Sequence, residues 1–107
     1  MRTVAEPYPS SPNMDTITYA DLRGAPVAHT DAGDFVFLGG QPCKEVYIKG
    51  TITKVRAGLF FLDIEGQRFS THKQEGFGVG DEVICICEPL IQDGKAEDMR
   101  IRSLEKL

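Results

Sequence analysis

The feature that most constrains the fold is the stretch EVYIKGTITKV, residues 45–55. Its apolar residues Val46, Ile48 and Ile52 occupy alternate positions, which is the period-2 pattern of a β-strand buried on one face. Gly50 falls on the buried face, where a glycine marks a bulge, a sharp bend or the close approach of another backbone. A long strand bent at a central glycine and followed by four shorter strands is how small five-stranded Greek-key barrels close. We therefore expect a barrel organised around this strand.

Four further strands are predicted after this one, each rich in apolar residues and bounded by turn residues. They cover residues 59–64, 67–72, 82–88 and 96–103. Glu65-Gly66 and Asp93-Gly94 are typical of two-residue hairpin turns. Pro89 is expected to end the 82–88 strand, because proline lacks the N–H of a ladder bond. The predicted inward side chains include Phe60, Leu62, Ile64 and Phe69.

The segment between the third and fourth barrel strands is predicted to be a loop. Residues 73–80 contain Gly76, Gly78 and Gly80, and glycine is among the weakest helix formers. In many barrels of this type a helix plugs the barrel at this point. Here Phe77 and Val79 are expected to plug it from the loop.

The chain before the barrel is predicted to contain a tail, a short helix and an extended segment. Residues 1–14 are rich in proline and serine, which is typical of a disordered tail. Asp15 is expected to cap a helix over residues 16–22, and residues 34–38 alternate like a short strand. Residues 15–107 are therefore expected to form one all-β domain, a five-stranded Greek-key barrel with a short N-terminal helix and extension.

Charge and cysteine content limit the classes of function. The chain has a formal net charge of −4, whereas typical DNA-binding domains are strongly basic. Most of the acidic excess lies in residues 1–40, so the nearly neutral barrel region still allows a local basic stripe. The cysteine count is odd, at three, which makes a poor disulfide framework and favours a reducing, intracellular compartment. No apolar run approaches the ~20 residues of a membrane span, so no membrane partner is expected.

The residues that could carry chemistry do not form a recognisable catalytic or metal-binding pattern. Cys85 and Cys87 lie two positions apart on one predicted strand and are interpreted as small core residues. The other reading, metal ligands, needs further Cys or His nearby. His72 lies on a strand and His29 lies beside Asp31 in a predicted loop, and neither pattern pairs a nucleophile with a base. We therefore predict no metal, no cofactor and no enzymatic activity.

The outward face of the first three barrel strands is the candidate binding surface. Four aromatic and basic side chains should project from it, because their neighbours along each strand point inward: Tyr47, Lys49, Phe61 and Arg68. Rings stack on bases and cations meet phosphates when an open sheet face binds single-stranded nucleic acid. Further cations in adjoining strand ends and loops would extend the stripe, namely Lys54, Arg56 and Lys73. The alternative is that the aromatic residues cover part of the barrel or form a protein interface.

The order of these features resembles the OB-fold, and more narrowly the middle subunit of replication protein A and its counterpart in the telomeric CST complex. The shared features are a short helix, an F-x-x-x-G element, a glycine-centred first strand, an acidic-glycine turn, a V-G-D-x-V start to the fourth strand and a closing strand. In this chain they are residues 16–22, 35–39, 41–50, 63–66, 79–83 and 99–105. Those subunits continue into a helix beyond the position of Leu107, so their partner interface is not carried over.

The resemblance implies a function. Such proteins are non-enzymatic OB-fold subunits of heteromeric single-stranded-DNA-binding complexes, which act in DNA replication, repair or telomere maintenance in the nucleus. It therefore implies single-stranded nucleic acid as ligand, with DNA favoured over RNA, and other OB-fold subunits as partners. Two alternatives stay open. One is a structural OB module that mediates protein–protein assembly without binding nucleic acid, and the other is an RNA- or tRNA-binding accessory barrel.

Overall fold

The computed structural model describes residues 16–107, and the predicted tail and the predicted cap at Asp15 lie outside this range. Within the range the chain forms a short helix and eight strands. In chain order these are α1 Tyr19–Arg23, β1 Val27–Thr30, β2 Gly33–Leu38, β3 Gln41–Cys43, β4 Val46–Arg56, β5 Leu59–Ile64, β6 Gln67–His72, β7 Glu82–Gln92 and β8 Lys95–Lys106. The described chain is therefore mostly β, as predicted. None of its helical residues forms a helix long and apolar enough to cross a membrane.

Strands β4 to β8 form one antiparallel sheet in the order β6-β5-β4-β7-β8, which curls into a half-barrel. The curl brings the edge strands β6 and β8 together, and two side chains, one in β6 and one just after it, hydrogen-bond to β8. The Thr71 hydroxyl donates a hydrogen bond to the carbonyl of Ile101 at 3.4 Å. The amide oxygen of Gln74 accepts one from the N–H of Leu104 at 3.3 Å. No ladder pairs β6 with β8 in the described part of the chain, and we call this junction the seam.

The inner face of the half-barrel is filled by the apolar side chains that the alternation predicts. Phe60, Leu62 and Ile64 of β5 are each 0% exposed, and so are Cys85 and Cys87 of β7. Because alternate residues of a strand face the same side, the residues between them face outward. The interpretation of the two cysteines as core residues is confirmed.

Gly50 lies on the buried face of β4, where it allows close packing. A Cβ atom at this position would lie 2.9 Å from Cγ1 of Ile64 and 3.3 Å from Sγ of Cys85, inside the separation of favourable carbon contacts. The bulge in β4 falls elsewhere, between Ile52 and Lys54. The crowding atoms belong to side chains, so the structure supports neither a bulge at Gly50 nor the expected close approach of another backbone, and shows instead that Ile64 and Cys85 pack where a Cβ would lie.

Strand β8 contains a bulge at Arg102, which has no partner in β7. The buried residues on either side, Ile101 and Leu104, are three positions apart rather than two. Arg102 and Ser103 therefore both face outward, because a bulge re-aims the side chains beside it. A second bulge lies at Glu97, and it likewise turns this residue and the acidic residue after it outward.

Helix α1 is held against the half-barrel by the turn between β5 and β6. The carboxylate of Glu65 accepts hydrogen bonds from the N–H groups of Tyr19 and Ala20, the latter at 3.2 Å. The N-cap is Thr18, whose hydroxyl accepts the N–H of Asp21 at 3.0 Å in a capping box. The helix predicted over residues 16–22 is therefore right in kind and wrong in its bounds.

Tyr19 connects the helix to both edges of the seam. Its ring is 5% exposed and packs edge-on against Phe69 of β6, with ring centres 5.3 Å apart. Its hydroxyl donates a hydrogen bond to the carbonyl of Glu97 in β8 at 3.4 Å. Helix α1 thus packs across the opening between β6 and β8.

A second sheet, ordered β1-β2-β3, precedes the half-barrel. Strand β2 confirms the strand predicted over residues 34–38, whereas the sequence analysis did not predict β1 and β3. Val36 at the centre of β2 is 0% exposed and belongs to the main core. The small sheet is therefore packed onto the half-barrel rather than standing apart from it.

Two expectations for the second half of the chain need correction. Strand β7 continues through Pro89, so the prediction that this residue ends the strand is wrong. Among residues 16–107, the part of the strand beyond Cys87 pairs only with β8, so on its other side no described ladder requires an N–H. Residues 73–80 form a loop, as predicted, with Phe77 packed against the core. Val79 is 59% exposed and does not help to plug the barrel.

Candidate nucleic-acid interface

The predicted binding residues all lie on or beside strands β4, β5 and β6, and the strand register divides them into two groups. One group surrounds Phe61 at the end of the sheet formed by the β4–β5 hairpin. The other consists of Tyr47 and Lys49 near the start of β4. The shared outer face follows from strand alternation, whereas the division follows from the positions of the residues along the strands.

Phe61 is half-buried on the outer face of β5, between Lys54 of β4 and Ser70 of β6. These three residues form a row across the sheet, because register partners on neighbouring strands lie side by side. The hydroxyl of Thr53, in the β4 bulge, donates a hydrogen bond to the carbonyl of Phe61 at 3.2 Å. The row places an aromatic ring beside an exposed cation, which suits a base stacked on the ring and a phosphate near the cation.

Two more predicted cations lie at the same end of the sheet. Arg56 pairs with Leu59 in the last rung of the β4–β5 hairpin. Lys73 follows β6 directly, and its backbone N–H donates a hydrogen bond to the carbonyl of Gly58 in the hairpin turn, at 2.9 Å. Both side chains are exposed. We call Lys54, Arg56, Phe61 and Lys73 the Phe61 cluster.

Arg68 lies one outward position from Ser70 on β6 and pairs across the sheet with Asp63. It also borders a groove of about 570 Å³ in the seam, which Arg23 and Arg100 line as well. Two carboxylates of β8, at positions 97 and 98, contribute to the same groove, so its charge is mixed. Arg68 therefore links the outer face of β6 to the groove.

Tyr47 and Lys49 lie apart from the Phe61 cluster and pair with β7 rather than with β5. Between Tyr47 and Lys54 the strand runs about 20 Å at the usual rise of a β-residue. Burial raises the pKa of the Tyr47 phenol, and the nearby carboxylate of Glu45 adds to the effect. The predicted residues thus share a face without forming a single site.

The cations of the Phe61 cluster and Arg68 have no ion-pair partner among the residues that the structure describes. Among the other described cations, Lys49 and Lys95 also form no ion pair or ring contact, and the remaining five are engaged. Three lie over aromatic rings, in the pairs Arg23 with Tyr19, Lys44 with Phe35 and Lys106 with Phe77. Arg100 and Arg102 both contact Glu88. The available positive charge is therefore concentrated around Phe61.

The structure adds three side chains that the sequence analysis did not assign to the site. Ser70 is the cross-strand neighbour of Phe61, and Arg100 and Arg102 lie on β8, on the other side of the seam. Alternation along each strand could have placed Ser70 on the outer face and Arg100 and Arg102 on a common face, whereas their neighbours depend on the cross-strand register.

His29 and the two core cysteines, which the sequence offered as groups for chemistry, lie in different parts of the described chain. His29 lies on β1, not in a loop, and its ring hydrogen-bonds to Asp34 across the β1–β2 hairpin rather than to Asp31. The His29 side chain is 85% exposed. No group of three or more His, Cys, Asp or Glu side chains in residues 16–107 is placed to hold a metal ion. Burial raises the pKa of the Cys85 thiol to about 12, which disfavours the reactive thiolate.

The Phe61 cluster is the strongest candidate site in the described chain. It combines a half-buried ring with exposed cations that form no ion pair with another described residue, and Arg68 connects it to the groove in the seam. Comparison with protein-family models, with curated proteins and with solved structures found no match to this chain.

Proposed function

We propose that residues 15–107 form an OB-fold barrel and that the protein is a non-enzymatic subunit of a heteromeric complex that binds single-stranded DNA. Counting β4 as barrel strand one, the sheet order is three, two, one, four, five. Strands three and five then face each other across the seam, as closure of a five-stranded Greek-key barrel requires. The resemblance to subunits of replication protein A and of CST supports a role in replication, repair or telomere maintenance in the nucleus.

The observation that carries the proposal is the row formed by Lys54, Phe61 and Ser70 across three strands. A single strand can lay a base on the ring of Phe61 while its backbone passes the cation of Lys54. The cations of the cluster form no ion pairs with other described residues, so phosphates need not displace a carboxylate there. The net charge of −4 weakens long-range attraction to DNA, so the isolated chain is expected to bind less tightly than the complex.

The test is to substitute Phe61 and to measure binding of a fluorescently labelled single-stranded oligonucleotide by anisotropy. Phe61→Ala should lower affinity by about 5- to 150-fold, the equivalent of a stacking energy of ~1–3 kcal/mol. Tyr47→Ala is the matched control, because it also removes a half-buried ring from the outer face of β4 and β5 but leaves the cluster intact. Both variants are measured on the chain alone and on the chain purified with its partner subunits.

A second pair of variants tests the cations. Lys54→Ala should weaken binding by a similar factor for every oligonucleotide sequence and reduce the salt dependence by about one phosphate contact. Lys49→Ala removes the same charge from the other end of β4 and should have a smaller effect. If the complex binds DNA and neither Phe61→Ala nor Lys54→Ala changes its affinity, the Phe61 cluster is not the DNA site.

A structural OB module that only mediates protein assembly is the second candidate. The position of Tyr47 favours it, because this ring lies half-buried on the outer face and away from the cations of the Phe61 cluster. Aromatic residues of this kind are common anchors in protein interfaces. Release of the partner subunits by Tyr47→Ala, together with unchanged DNA affinity in Phe61→Ala, would favour this candidate.

A further inference from the structure

Glu88 holds two arginines on the outer face of β7 and β8. One oxygen of its carboxylate lies 2.7 Å from Nη2 of Arg100 and 3.4 Å from Nη1 of Arg102. The hydrogen bond from Arg100 is the main reason why the pKa of the Glu88 carboxyl lies below its usual range. In the free protein this carboxylate is therefore the anionic ligand of an arginine pair.

The pairing of β8 with β7 and the two-residue spacing of the arginines create this arrangement. Arg100 is the direct cross-strand partner of Glu88, whereas Arg102 is the inserted residue that lacks a partner in β7. Residues two positions apart on a strand face the same side, so both guanidinium groups lie on the face of Glu88 and contact the same carboxylate oxygen. Two guanidinium groups around one anion form the kind of site that arginine provides for phosphate groups.

The contact between Glu88 and the two arginines is weak enough to be exchanged. The side chains of Glu88, Arg100 and Arg102 are 37%, 63% and 56% exposed, and ion pairs this exposed contribute little to stability. A phosphate is negatively charged, like a carboxylate, and it has more acceptor oxygens than a carboxylate has. It can therefore compete for the arginines without disturbing the fold.

The place of the arginine pair relative to the Phe61 cluster gives it a role. Thr71 meets Ile101 across the seam, so the residues before them, Ser70 and Arg100, lie at the same level of the two edge strands. Ser70 is also the neighbour of Phe61. The row through Phe61 therefore continues across the seam to Arg100.

We infer that Arg100 and Arg102 form a second phosphate-binding site, which Glu88 occupies in the free protein and gives up when the phosphate of a bound nucleic acid replaces it. The inference rests on the proposed function for the source of the phosphate. It assigns Glu88 an inhibitory part, because the carboxylate competes with the backbone of the single strand. It also predicts that removing this carboxylate strengthens binding, which is the reverse of what loss of a structural ion pair would do.

The experiment compares Glu88→Gln with Glu105→Gln. Both remove one negative charge from the outer face near β8, but Glu105 forms no ion pair within the described residues. A thermal melt first establishes that both variants are folded. Inorganic phosphate is then titrated while the side-chain Nε–H signals of Arg100 and Arg102 are followed by NMR. The signals should respond at lower phosphate concentration in Glu88→Gln than in the wild type or in Glu105→Gln.

The second arm measures the affinity of the same variants for a labelled single-stranded oligonucleotide. Glu88→Gln should bind about two- to fivefold more tightly than Glu105→Gln, with a salt dependence steeper by about one phosphate contact. Adding Arg102→Ala to Glu88→Gln should remove the gain. A gain that survives this addition, or equal behaviour of the two glutamine variants in both arms, overturns the inference.

The two arms separate this inference from the proposed function. A phosphate response confined to Glu88→Gln, with no oligonucleotide binding by chain or complex, supports the anion site and refutes the DNA-binding function. Oligonucleotide binding that depends on Phe61 but is the same in Glu88→Gln and Glu105→Gln supports the function and refutes the role of Glu88.

Discussion

Gly50 is the position where a single added carbon should reveal whether the half-barrel is packed as described. In Gly50→Ala the new Cβ would lie 2.9 Å from Cγ1 of Ile64, 3.3 Å from Sγ of Cys85 and 3.4 Å from Cδ1 of Ile64. Both neighbours are 0% exposed, so neither side chain can turn into solvent to make room. The strands themselves must move apart, or Ile64 must leave its preferred rotamer.

The magnitude follows from two opposing effects. Overpacking a filled core costs about 1–3 kcal/mol, whereas replacing glycine by alanine restricts the unfolded chain and returns about 0.4–1 kcal/mol. Gly50→Ala should therefore lower the free energy of unfolding by about 1–2 kcal/mol. Gly50→Val adds two methyl groups to the same crowded space and should cost more, about 2–4 kcal/mol. Because a small domain has only about 5–15 kcal/mol in total, both effects are measurable.

The assay is equilibrium unfolding in urea, followed by circular dichroism, and Gly78→Ala is the matched control. Gly78 has no atom within 4 Å of its Cβ position and no left-handed backbone angle, so the same substitution there should be neutral or slightly stabilising. At a slope of ~1–3 kcal/mol per molar urea, the expected loss at Gly50 moves the midpoint by about 1 M.

A double-mutant cycle makes the test specific for the contact. Ile64→Ala opens a cavity beside Gly50, so adding Gly50→Ala to it should cost less than adding it to the wild type, and should partly fill the space. Equal midpoints for Gly50→Ala and Gly78→Ala, or zero coupling between positions 50 and 64, would show that the two strands are not packed as closely as described.

Two further predictions concern other parts of the half-barrel. In the folded protein a thiol reagent should label the half-buried Cys43 and leave Cys85 and Cys87 unlabelled. Burial raises the pKa of the Cys85 thiol to about 12 and keeps it protonated at neutral pH. Rapid labelling of all three cysteines, detected by mass spectrometry, would contradict this prediction. Glu65→Ala removes the acceptor of two helical N–H groups and should lower the free energy of unfolding in urea by about 1–2 kcal/mol. Glu65→Gln keeps one acceptor oxygen and should lower it less. Equal losses in the two variants would argue against a capping role for Glu65.

The strands that the sequence predicts with correct bounds are those with strong local signals. Strands β5 and β6 follow the prediction because Phe60, Leu62 and Ile64 alternate cleanly and Glu65-Gly66 marks the turn. The failures depend on contacts distant in sequence. Pro89 does not end β7, because the strand has a partner on only one side there.

The helix and the small sheet show the same limit. The start of α1 is set by Thr18 together with Glu65, a residue from a different part of the chain. Strands β1 and β3 are short and lack strong alternation, so they form only because β2 lies between them. Propensity alone cannot predict elements of this kind.

The sequence predicts the face of the sheet on which the candidate residues lie, but not the distances between them. Parity along a strand places Tyr47 and Phe61 on the outer side, and it carries no information about how far apart they lie. That separation depends on the register between β4 and β5 and on the bulge between Ile52 and Lys54. The contact of Arg100 and Arg102 with Glu88 depends on the register between β7 and β8, which a local sequence pattern does not specify.

The seam implies that the half-barrel does not resist opening equally on all sides. Lys73 bonds to Gly58, and hydrogen-bonded positions alternate along an antiparallel ladder, so the N–H groups of Arg68 and Ser70 point away from β5 and towards the seam. Within residues 16–107, the hydrogen bonds across the seam are made by the side chains of Thr71, in β6, and Gln74, just after β6. Amide hydrogens at these positions should therefore exchange with solvent far faster than those of β4, which has a partner on each side. Under native conditions β6 should therefore detach more readily than β4, and a ligand on the proposed binding face that β6 shares with β5 should slow this exchange.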